Sequence, residues 1–319
     1  MPARARPPAI QEVVMRPPIV VGVDPLRHDP EAPVLAALLA RATGAPVVAV
    51  AVHPAPSPVR IGGGDAYEHE LHGTALARLV AIEPAFTGVA LETLALAGPS
   101  AAHVLHDVAE DRGAGLLVLG SSRHGTLGRI ALGSTTDRLL HGAPCPIVIA
   151  PAGFAERMRG LDRVGAAFID GEEGNEALRA AAVLASACGA ELHAATAIQP
   201  IAGSATSNFQ PYDVSAHLGG LRARAEAQLH EALDGLGPQV PSSSEVLVNN
   251  PVVALEQFSH DVDLLVCGSR GYGPLGSVLL GGVSRRLVHR AACPVLVVPR
   301  GTERAIEELA GQLMEPERA

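Results

Sequence analysis

The sequence repeats one long segment. Two stretches align without a gap: residues 116–151 read LLVLGSSRHGTLGRIALGSTTDRLLHGAPCPIVIAP, and residues 264–299 read LLVCGSRGYGPLGSVLLGGVSRRLVHRAACPVLVVP. Further upstream, an apolar run that ends at Asp24 is similar to a run that ends at Asp170. Self-similarity of this extent predicts two copies of one domain in tandem, and a chain of 319 residues has room for two domains of ordinary size.

The order of the predicted elements indicates the fold class. In each copy, continuous apolar runs alternate with segments rich in Ala and Leu. This order is typical of a parallel sheet with helices on both faces, whose strands are apolar throughout because both faces are buried. We therefore expect an α/β protein of two tandem doubly wound domains, each with a five-stranded parallel sheet flanked by helices. The predicted strands are 19–23, 46–52, 90–95, 116–119 and 146–149 in the first copy, and 164–169, 191–198, 244–248, 264–267 and 294–298 in the second.

We expect copy one to cover residues 17–151 and copy two residues 161–300. Residues 1–16, which carry Pro and Arg but no apolar signal-peptide core, are expected to form a disordered tail. Residues 301–319 are charged and are expected to form a C-terminal tail or a short helix.

Composition excludes several classes of function. The net charge of −9 disfavours nucleic acid and anionic membranes as partners, because both need a positive surface. The sequence has no apolar run long enough for a transmembrane helix. Its 4 cysteines are scattered among apolar neighbours, as expected of buried, reduced thiols in a cytoplasmic protein. All basic residues are arginine or histidine, so the Walker A lysine and Schiff-base chemistry are both excluded.

Each copy carries a glycine-rich turn after its fourth predicted strand. In copy two, Gly268 and Gly271 are followed by nine residues and then by Gly281-Gly282. Glycines let the backbone approach a ligand closely, and a helix that begins at the second pair would offer free N–H groups to an anion. Without lysine, the charge of a phosphate must be met by backbone N–H groups, by arginine or by a metal.

The spacing of this turn, the aspartate at the end of the first strand and the closing Cys-Pro-Val strand resemble the universal stress protein family. The resemblance covers nearly the whole chain and implies a site for an adenine nucleotide in each copy, holding ATP with or without Mg²⁺. In copy one, it implies nucleotide-binding roles for Asp24, Val52, Leu119, Gly120, Arg123, Gly133, Ser134, Thr135 and Thr136. In copy two, it implies the same roles for Asp170, Ala197, Cys267, Gly268, Gly271, Gly281, Gly282, Val283 and Ser284.

Each copy departs from the family pattern once. In copy one, Arg123 stands where the second glycine belongs, and it either contacts the phosphates or spoils the turn. In copy two, Gly282 replaces the usual Ser or Thr, which removes one hydroxyl but keeps the backbone N–H. The loss of one neutral hydrogen bond costs about 0.5–1.5 kcal/mol. We therefore expect copy two to be the better nucleotide site.

Two further features of the sequence lie outside the glycine turns. The polar connections 53–67 and 199–217 follow the second strand of each copy, and they are expected either to fold over the nucleotide or to be disordered. His69 and His72 are spaced to share a helix face, as metal ligands do, but copy two has no matching pair. We interpret them as solvated residues and expect no metal site.

The two predicted fifth strands, 146–149 and 294–298, are short and strongly apolar. Exposed apolar edges invite association, and single-domain members of the family resemble dimers joined through these strands. We therefore expect the fifth strands to pair within the chain as an internal pseudo-dimer, while further association into a homodimer is left open.

The leading hypothesis is an ATP- or adenine-nucleotide-binding regulatory protein of the stress response. A slow ATPase and a nucleotide-free interaction module are the alternatives. The sequence contains no Gly-x-Ser-x-Gly elbow and no ordered Ser–His–Asp set, so no catalytic residue is predicted.

Overall fold

The computed structural model describes residues 16–55, 64–121, 129–157, 160–199, 214–237, 240–269 and 282–311. Three residues of the predicted site lie outside these ranges: Arg123, Gly271 and Gly281. Most of the predicted N-terminal tail, the end of the C-terminal segment and the middle of both predicted lids lie outside them as well.

The described residues of copy one form five strands and four helices in alternation. Its strands are β1 (Ile19–Val23), β2 (Val47–Pro54), β3 (Leu91–Gly98), β4 (Leu116–Gly120) and β5 (Ile147–Ala150). Its helices are α1 (Glu31–Thr43), α2 (Gly64–Ile82), α3 (Ala101–Asp111) and α4 (Ser134–Leu140), with a 3-10 turn at Glu83–Phe86. A short helix, α5 (Phe154–Arg157), leads into the second copy.

Copy two repeats the same order. Its strands are β6 (Arg163–Phe168), β7 (Glu191–Ile198), β8 (Ser242–Val248), β9 (Leu264–Gly268) and β10 (Val295–Val298). Its helices are α6 (Glu172–Cys188), α7 (Val214–Asp234), α8 (Pro251–Phe258) and α9 (Gly282–Arg290), and α10 (Glu303–Ala310) follows the last strand. These elements confirm the predicted α/β class with two tandem copies.

The ten strands form one sheet in the order β3-β2-β1-β4-β5-β10-β9-β6-β7-β8. Strands pair in parallel within each copy. The two copies meet where β5 and β10 pair antiparallel, with Val148 opposite Leu296. The predicted pairing of the fifth strands within the chain is therefore confirmed, and it removes two apolar edges from solvent.

The apolar core forms two layers, one on each face of the sheet. One layer includes buried residues of α1, α6 and α10, and the other includes buried residues of α3, α4, α8 and α9. Each layer contains residues of both copies. None of the helices in the described ranges is both long and apolar enough to span a membrane.

The pairing of strands also fixes which residues of the two copies are equivalent. Ile19 of β1 pairs with Leu116 of β4, and Val164 of β6 pairs with Leu264 of β9. Leu116 and Leu264 begin the repeated segments, so Ile19 and Val164 occupy the same place in the two copies. The alternation of buried side chains agrees, because Ile19 and Val164 both face the layer that contains α1 and α6.

Candidate functional site

A cavity of about 650 Å³ opens at the carboxyl ends of β1, β2 and β4 in copy one. Ligands of doubly wound sheets bind at this edge, because the loops that leave parallel strands converge there. All the site residues predicted for copy one that the structure describes line this cavity: Asp24, Val52, Leu119, Gly120, Gly133, Ser134, Thr135 and Thr136.

The inner wall of the cavity is apolar. Val50 and Val52 come from β2, Leu119 from β4 and Leu105 from α3. These side chains pack with the core layer of α3 and α4, so the wall continues the core rather than standing alone. Such a wall suits a flat, weakly polar group such as a purine base.

The start of α4 also lines the cavity. Gly133 precedes α4 with extended dihedral angles (φ −80°, ψ 165°), and glycine has no side chain that could cap the helix. The first N–H groups of α4 therefore receive no side-chain cap from Gly133, and Ser134 and Thr135 beside them carry hydroxyls. Backbone N–H groups and hydroxyls together suit the oxygens of a phosphate.

Ser121 joins the end of β4 to the chain that precedes α4. Its Oγ accepts a hydrogen bond of 2.8 Å from the backbone N–H of Ala131. Ser121 is buried. Read from the sequence, this serine is only part of the glycine turn, although the presence of Ser269 at the same place in copy two is a signal that could have marked it.

The loop between β1 and α1 contributes two charged groups that sequence reasoning missed. Arg27 donates to the backbone oxygen of Ser121 over 3.4 Å, and Asp29 accepts from the backbone N–H of Glu31 over 3.2 Å. Burial raises the pKa of Asp29 above its ordinary value, and the bond from Glu31 and the charge of Arg27 offset part of this rise. Both side chains line the cavity.

Two histidines meet beside the cavity. Nε2 of His53, which is buried at the end of β2, lies 3.2 Å from Nδ1 of His72 on α2. His72 was interpreted from the sequence as a solvated residue, but the structure gives it this partner. Pairing across elements separated by a polar connection leaves no periodic signal in the sequence. No cluster of three metal-ligating side chains occurs in the part of the chain described by the structure.

Asp170 and Asp24 have different surroundings among the described residues. By strand register, the counterpart of Asp24 is Ile169, and Asp170 lies one residue further along. Because successive side chains of a strand point to opposite faces, a slip of one residue moves a side chain across the sheet. Asp170 accordingly accepts a 2.7 Å hydrogen bond from Gln228 on α7, and it lines a separate cavity between α6 and α7. The sequence alignment of the two aspartates therefore differs by one residue from the alignment given by the strand register.

The other matched positions keep their register. Val52 and Ala197 occupy equivalent places on β2 and β7, since β1 and β6 pair with these strands in the same way. Cys267 is buried in the sheet directly before Gly268. Val283, the counterpart of Thr135, is 41% exposed and offers no hydroxyl.

In copy two, Ser284 and Gly268 both contact other parts of the protein. Ser284 donates to the backbone oxygen of Gly268 over 2.9 Å, so this hydroxyl is already used within the protein. A Cβ built on Gly268 would lie 2.7 Å from the backbone oxygen of Glu173, so the first turn of α6 occupies the space beside this glycine. The helix begins with Gly282, the residue that departs from the family pattern.

Sequence relatives of this chain are universal stress proteins. One from Mycobacterium tuberculosis (strain ATCC 25618 / H37Rv) is 32% identical over 189 residues, which is 57% of this chain and 61% of that protein. The match thus spans less than two thirds of the relative. A second from the same strain is 30% identical over 202 residues, 61% of this chain and 68% of that protein. One from Thermus aquaticus is 36% identical over 130 residues, 39% of this chain and 90% of that protein.

Two solved structures share the fold over most of the chain. A universal stress protein from Archaeoglobus fulgidus matches with a TM-score of 0.60 at 18% identity, covering 89% of this chain and 98% of its own. A putative universal stress protein from Pseudomonas aeruginosa matches with a TM-score of 0.61 at 17% identity, covering 93% of this chain and 98% of its own.

The family comparison matches the repeat itself. The model of the Universal stress protein family matches residues 15–151 and again residues 161–299. The two matches together include both glycine turns and all ten strands. This chain belongs to the universal stress protein family and contains two copies of the family's domain in tandem.

Proposed function

We propose that this protein binds one adenine nucleotide per chain, in the cavity of copy one, and acts as a regulatory factor in the stress response. The observation that carries the proposal is the convergence of eight residues, chosen from sequence alone, on the wall of one cavity. The volume of about 650 Å³ lies within the usual range of small-molecule sites.

The lining of the cavity offers groups that suit the base, the ribose and the phosphate of a nucleotide. The base would lie against the apolar wall of Val52 and Leu119, and the carboxylate of Asp24 can accept hydrogen bonds from ribose hydroxyls. A phosphate would meet Gly133 and the start of α4.

Copy two lacks several of these groups. Ile169 stands in the place of Asp24 and is 43% exposed, and Val283 stands in the place of Thr135. Ser284 is bonded to Gly268. These differences favour copy one as the nucleotide site. The sequence had favoured copy two, because the hydroxyl lost at Gly282 was judged less costly than Arg123 in the turn of copy one.

The test is the amount of adenine nucleotide per chain, measured by denaturing extraction and chromatography after equilibration with excess nucleotide. We expect a stoichiometry near one. The paired variant Ser134→Gly/Thr135→Val gives copy one the turn of copy two and should weaken binding by about ten- to a hundredfold, because each lost hydrogen bond contributes about 0.5–1.5 kcal/mol. The amount of nucleotide bound at a limiting concentration should fall accordingly. Its matched control, Gly282→Ser/Val283→Thr, changes copy two and should leave the stoichiometry unchanged.

A stoichiometry of two would contradict the assignment to copy one alone. Nucleotide-free protein at every concentration would instead favour the interaction module. Steady accumulation of ADP from added ATP would favour the slow ATPase.

A further inference from the structure

The open side of Gly120 is occupied by a carboxylate. Gly120 is the first glycine of the turn in copy one, and a Cβ built on it would lie 2.5 Å from Oδ2 of Asp29 and 3.1 Å from its Cγ. The first glycine of such a turn normally lets a ligand phosphate approach the backbone. Here the space that the missing side chain provides is taken by an acidic group of the protein.

The position of Asp29 is fixed by its surroundings. Its Oδ1 accepts from the backbone N–H of Glu31 in the first turn of α1, which leaves Oδ2 directed at Gly120. Two residues earlier, Arg27 is bonded to the backbone of Ser121. The loop therefore contacts two consecutive residues, Gly120 at the end of β4 and Ser121 directly after it.

In copy one this stretch of chain is a loop, because α1 starts later than α6 does, and the loop carries the carboxylate. Residues 24–30 connect β1 to α1, whereas residues 169–171 suffice to connect β6 to α6. In copy two, the open side of Gly268 faces the uncharged backbone oxygen of Glu173. An acidic group against the first glycine is thus particular to copy one.

The charges on the described lining of the cavity work against a long phosphate chain. Among the described residues that line the cavity, the carboxylates Asp24 and Asp29 outnumber the one guanidinium, Arg27; His53 and Tyr67 are the other titratable groups. Glu31 lies two residues after Asp29 along the chain and adds to its negative surroundings. Each added phosphate brings further negative charge toward Asp29 in a partly buried site, where like charges repel more strongly than in water.

We propose that Asp29 limits the number of phosphates on the ligand, so that copy one selects adenosine monophosphate over adenosine triphosphate. This inference rests on the proposed nucleotide site and assigns its specificity. The Asp29 carboxylate would act from its place against Gly120, by repelling the added negative charge of a triphosphate.

The experiment measures the affinities of AMP and ATP by calorimetry, with and without Mg²⁺, for the full chain and for Asp29→Asn. Asparagine has the same shape and can still accept from Glu31, so the loop should stay in place. The control is Asp111→Asn, which removes the same charge from the exposed end of α3.

We expect the native chain and Asp111→Asn to bind AMP at least about tenfold more tightly than ATP, a ratio typical of one unfavourable charge contact. In Asp29→Asn this preference should fall to about threefold or less, mainly through tighter binding of ATP.

Two results would overturn the inference while leaving the nucleotide site intact. One is a native chain that binds ATP as tightly as AMP. The other is an unchanged AMP preference in Asp29→Asn, or weaker ATP binding in that variant, which would make Asp29 a helper of the phosphates or of their Mg²⁺. If neither nucleotide binds to any of the three proteins, the proposed function fails and the specificity assignment fails with it.

Discussion

At the scale of single residues, two aspartates that look alike in the sequence have different surroundings. Asp24 follows β1, lines the cavity of copy one and accepts a 2.9 Å hydrogen bond from the backbone N–H of Leu26. Asp170 follows β6 with one residue between, faces the other side of the sheet and is bonded to Gln228. Only Asp24 can therefore reach a ligand in the cavity.

This difference yields a matched pair of variants. Asp24→Asn should weaken nucleotide binding about tenfold, because a hydrogen bond to a charged group contributes about 1.5–3 kcal/mol. Asp170→Asn should leave the affinity within about twofold. Calorimetric titration of both variants with AMP makes the comparison, and an equal loss in both would show that the strand register does not decide which aspartate binds.

The cysteines give a prediction about pH. All four are free thiols, and burial raises the pKa of Cys188 to about 11 and the pKa of Cys145 and Cys267 to about 12. The pKa of Cys293 is raised as well, also by burial. Since the thiolate is the reactive form, a raised pKa delays alkylation to higher pH.

At pH 7.5, we expect iodoacetamide to modify the folded protein at least about a hundredfold more slowly than an ordinary cysteine peptide, from a pKa difference of about two units. Modification should begin at Cys188 as the pH rises above about 9, because this thiol is only partly buried. Peptide mass mapping identifies the site. Unfolded protein should react at all four cysteines, and rapid labelling of the folded protein at neutral pH would contradict the prediction.

Residue environments of this kind were only partly predictable. Which residues follow the strands could be read from apolar runs, because buried strands are apolar throughout. The face on which Asp170 lies could not, because a shift of one residue leaves the apolar run unchanged. Asp29 was missed for another reason: its contact with Gly120 joins two loops far apart in the chain, and no spacing rule relates them.

At the scale of elements, the connection from β1 to α1 and the glycine turn after β4 act as one unit. Asp29 fills the space beside Gly120, and Arg27 is bonded to the backbone of Ser121. A methyl group at Gly120 would have to displace the Asp29 carboxylate or move the turn.

A double-mutant cycle tests this contact. Gly120→Ala should lower the free energy of unfolding by about 1–3 kcal/mol through overpacking, and Asp29→Ala should lower it by about 1 kcal/mol through the lost bond to Glu31. The double variant should lose less than the sum, since removing the carboxylate makes room for the methyl. Urea unfolding followed by far-ultraviolet circular dichroism gives the three values, and strict additivity would contradict the contact.

Most element boundaries followed from the sequence, and the exceptions have a common cause. From the sequence alone we predict helices at 101–110 and 251–258, and they agree closely with α3 and α8, where Ser100 and Asn250 cap the first turn. The sequence also predicts helices that begin at 73 and 218, whereas α2 begins at Gly64 and α7 at Val214. Both helices carry glycines and polar residues at their starts, so their first turns lack the apolar periodicity that marks a helix.

At the scale of the whole molecule, the two copies share one sheet and both layers of the apolar core. The sheet is continuous through β5 and β10, and both core layers include residues of both copies. Helix α10 packs against α6 of its own copy and also against α1 and β4 of copy one. Arg129 of copy one is paired with Glu256 on α8 over 2.8 Å.

We therefore expect one cooperative unfolding transition for both copies. Ser100→Ala removes the bond to the N–H of His103 in copy one, and Asn250→Ala removes the bond to the N–H of Val252 in copy two. Each loss should cost about 1 kcal/mol, and each should shift the whole transition in differential scanning calorimetry. Ser100→Thr and Asn250→Asp keep an acceptor and serve as controls. Two separate transitions, with each variant moving only one, would mean that the copies unfold independently.

The junction of β5 and β10 has a further consequence for how the two halves can differ. When separate chains pair through one strand, the partners are identical, and every change in sequence appears on both sides of the axis. Here the partner strand is supplied by the same polypeptide, so its effective concentration is set by the short link through α5 and not by the amount of protein present. Each molecule therefore contains one copy with Asp24 and one copy with Ile169 at the equivalent position. Exchange of subunits cannot produce molecules with two copies of the same kind.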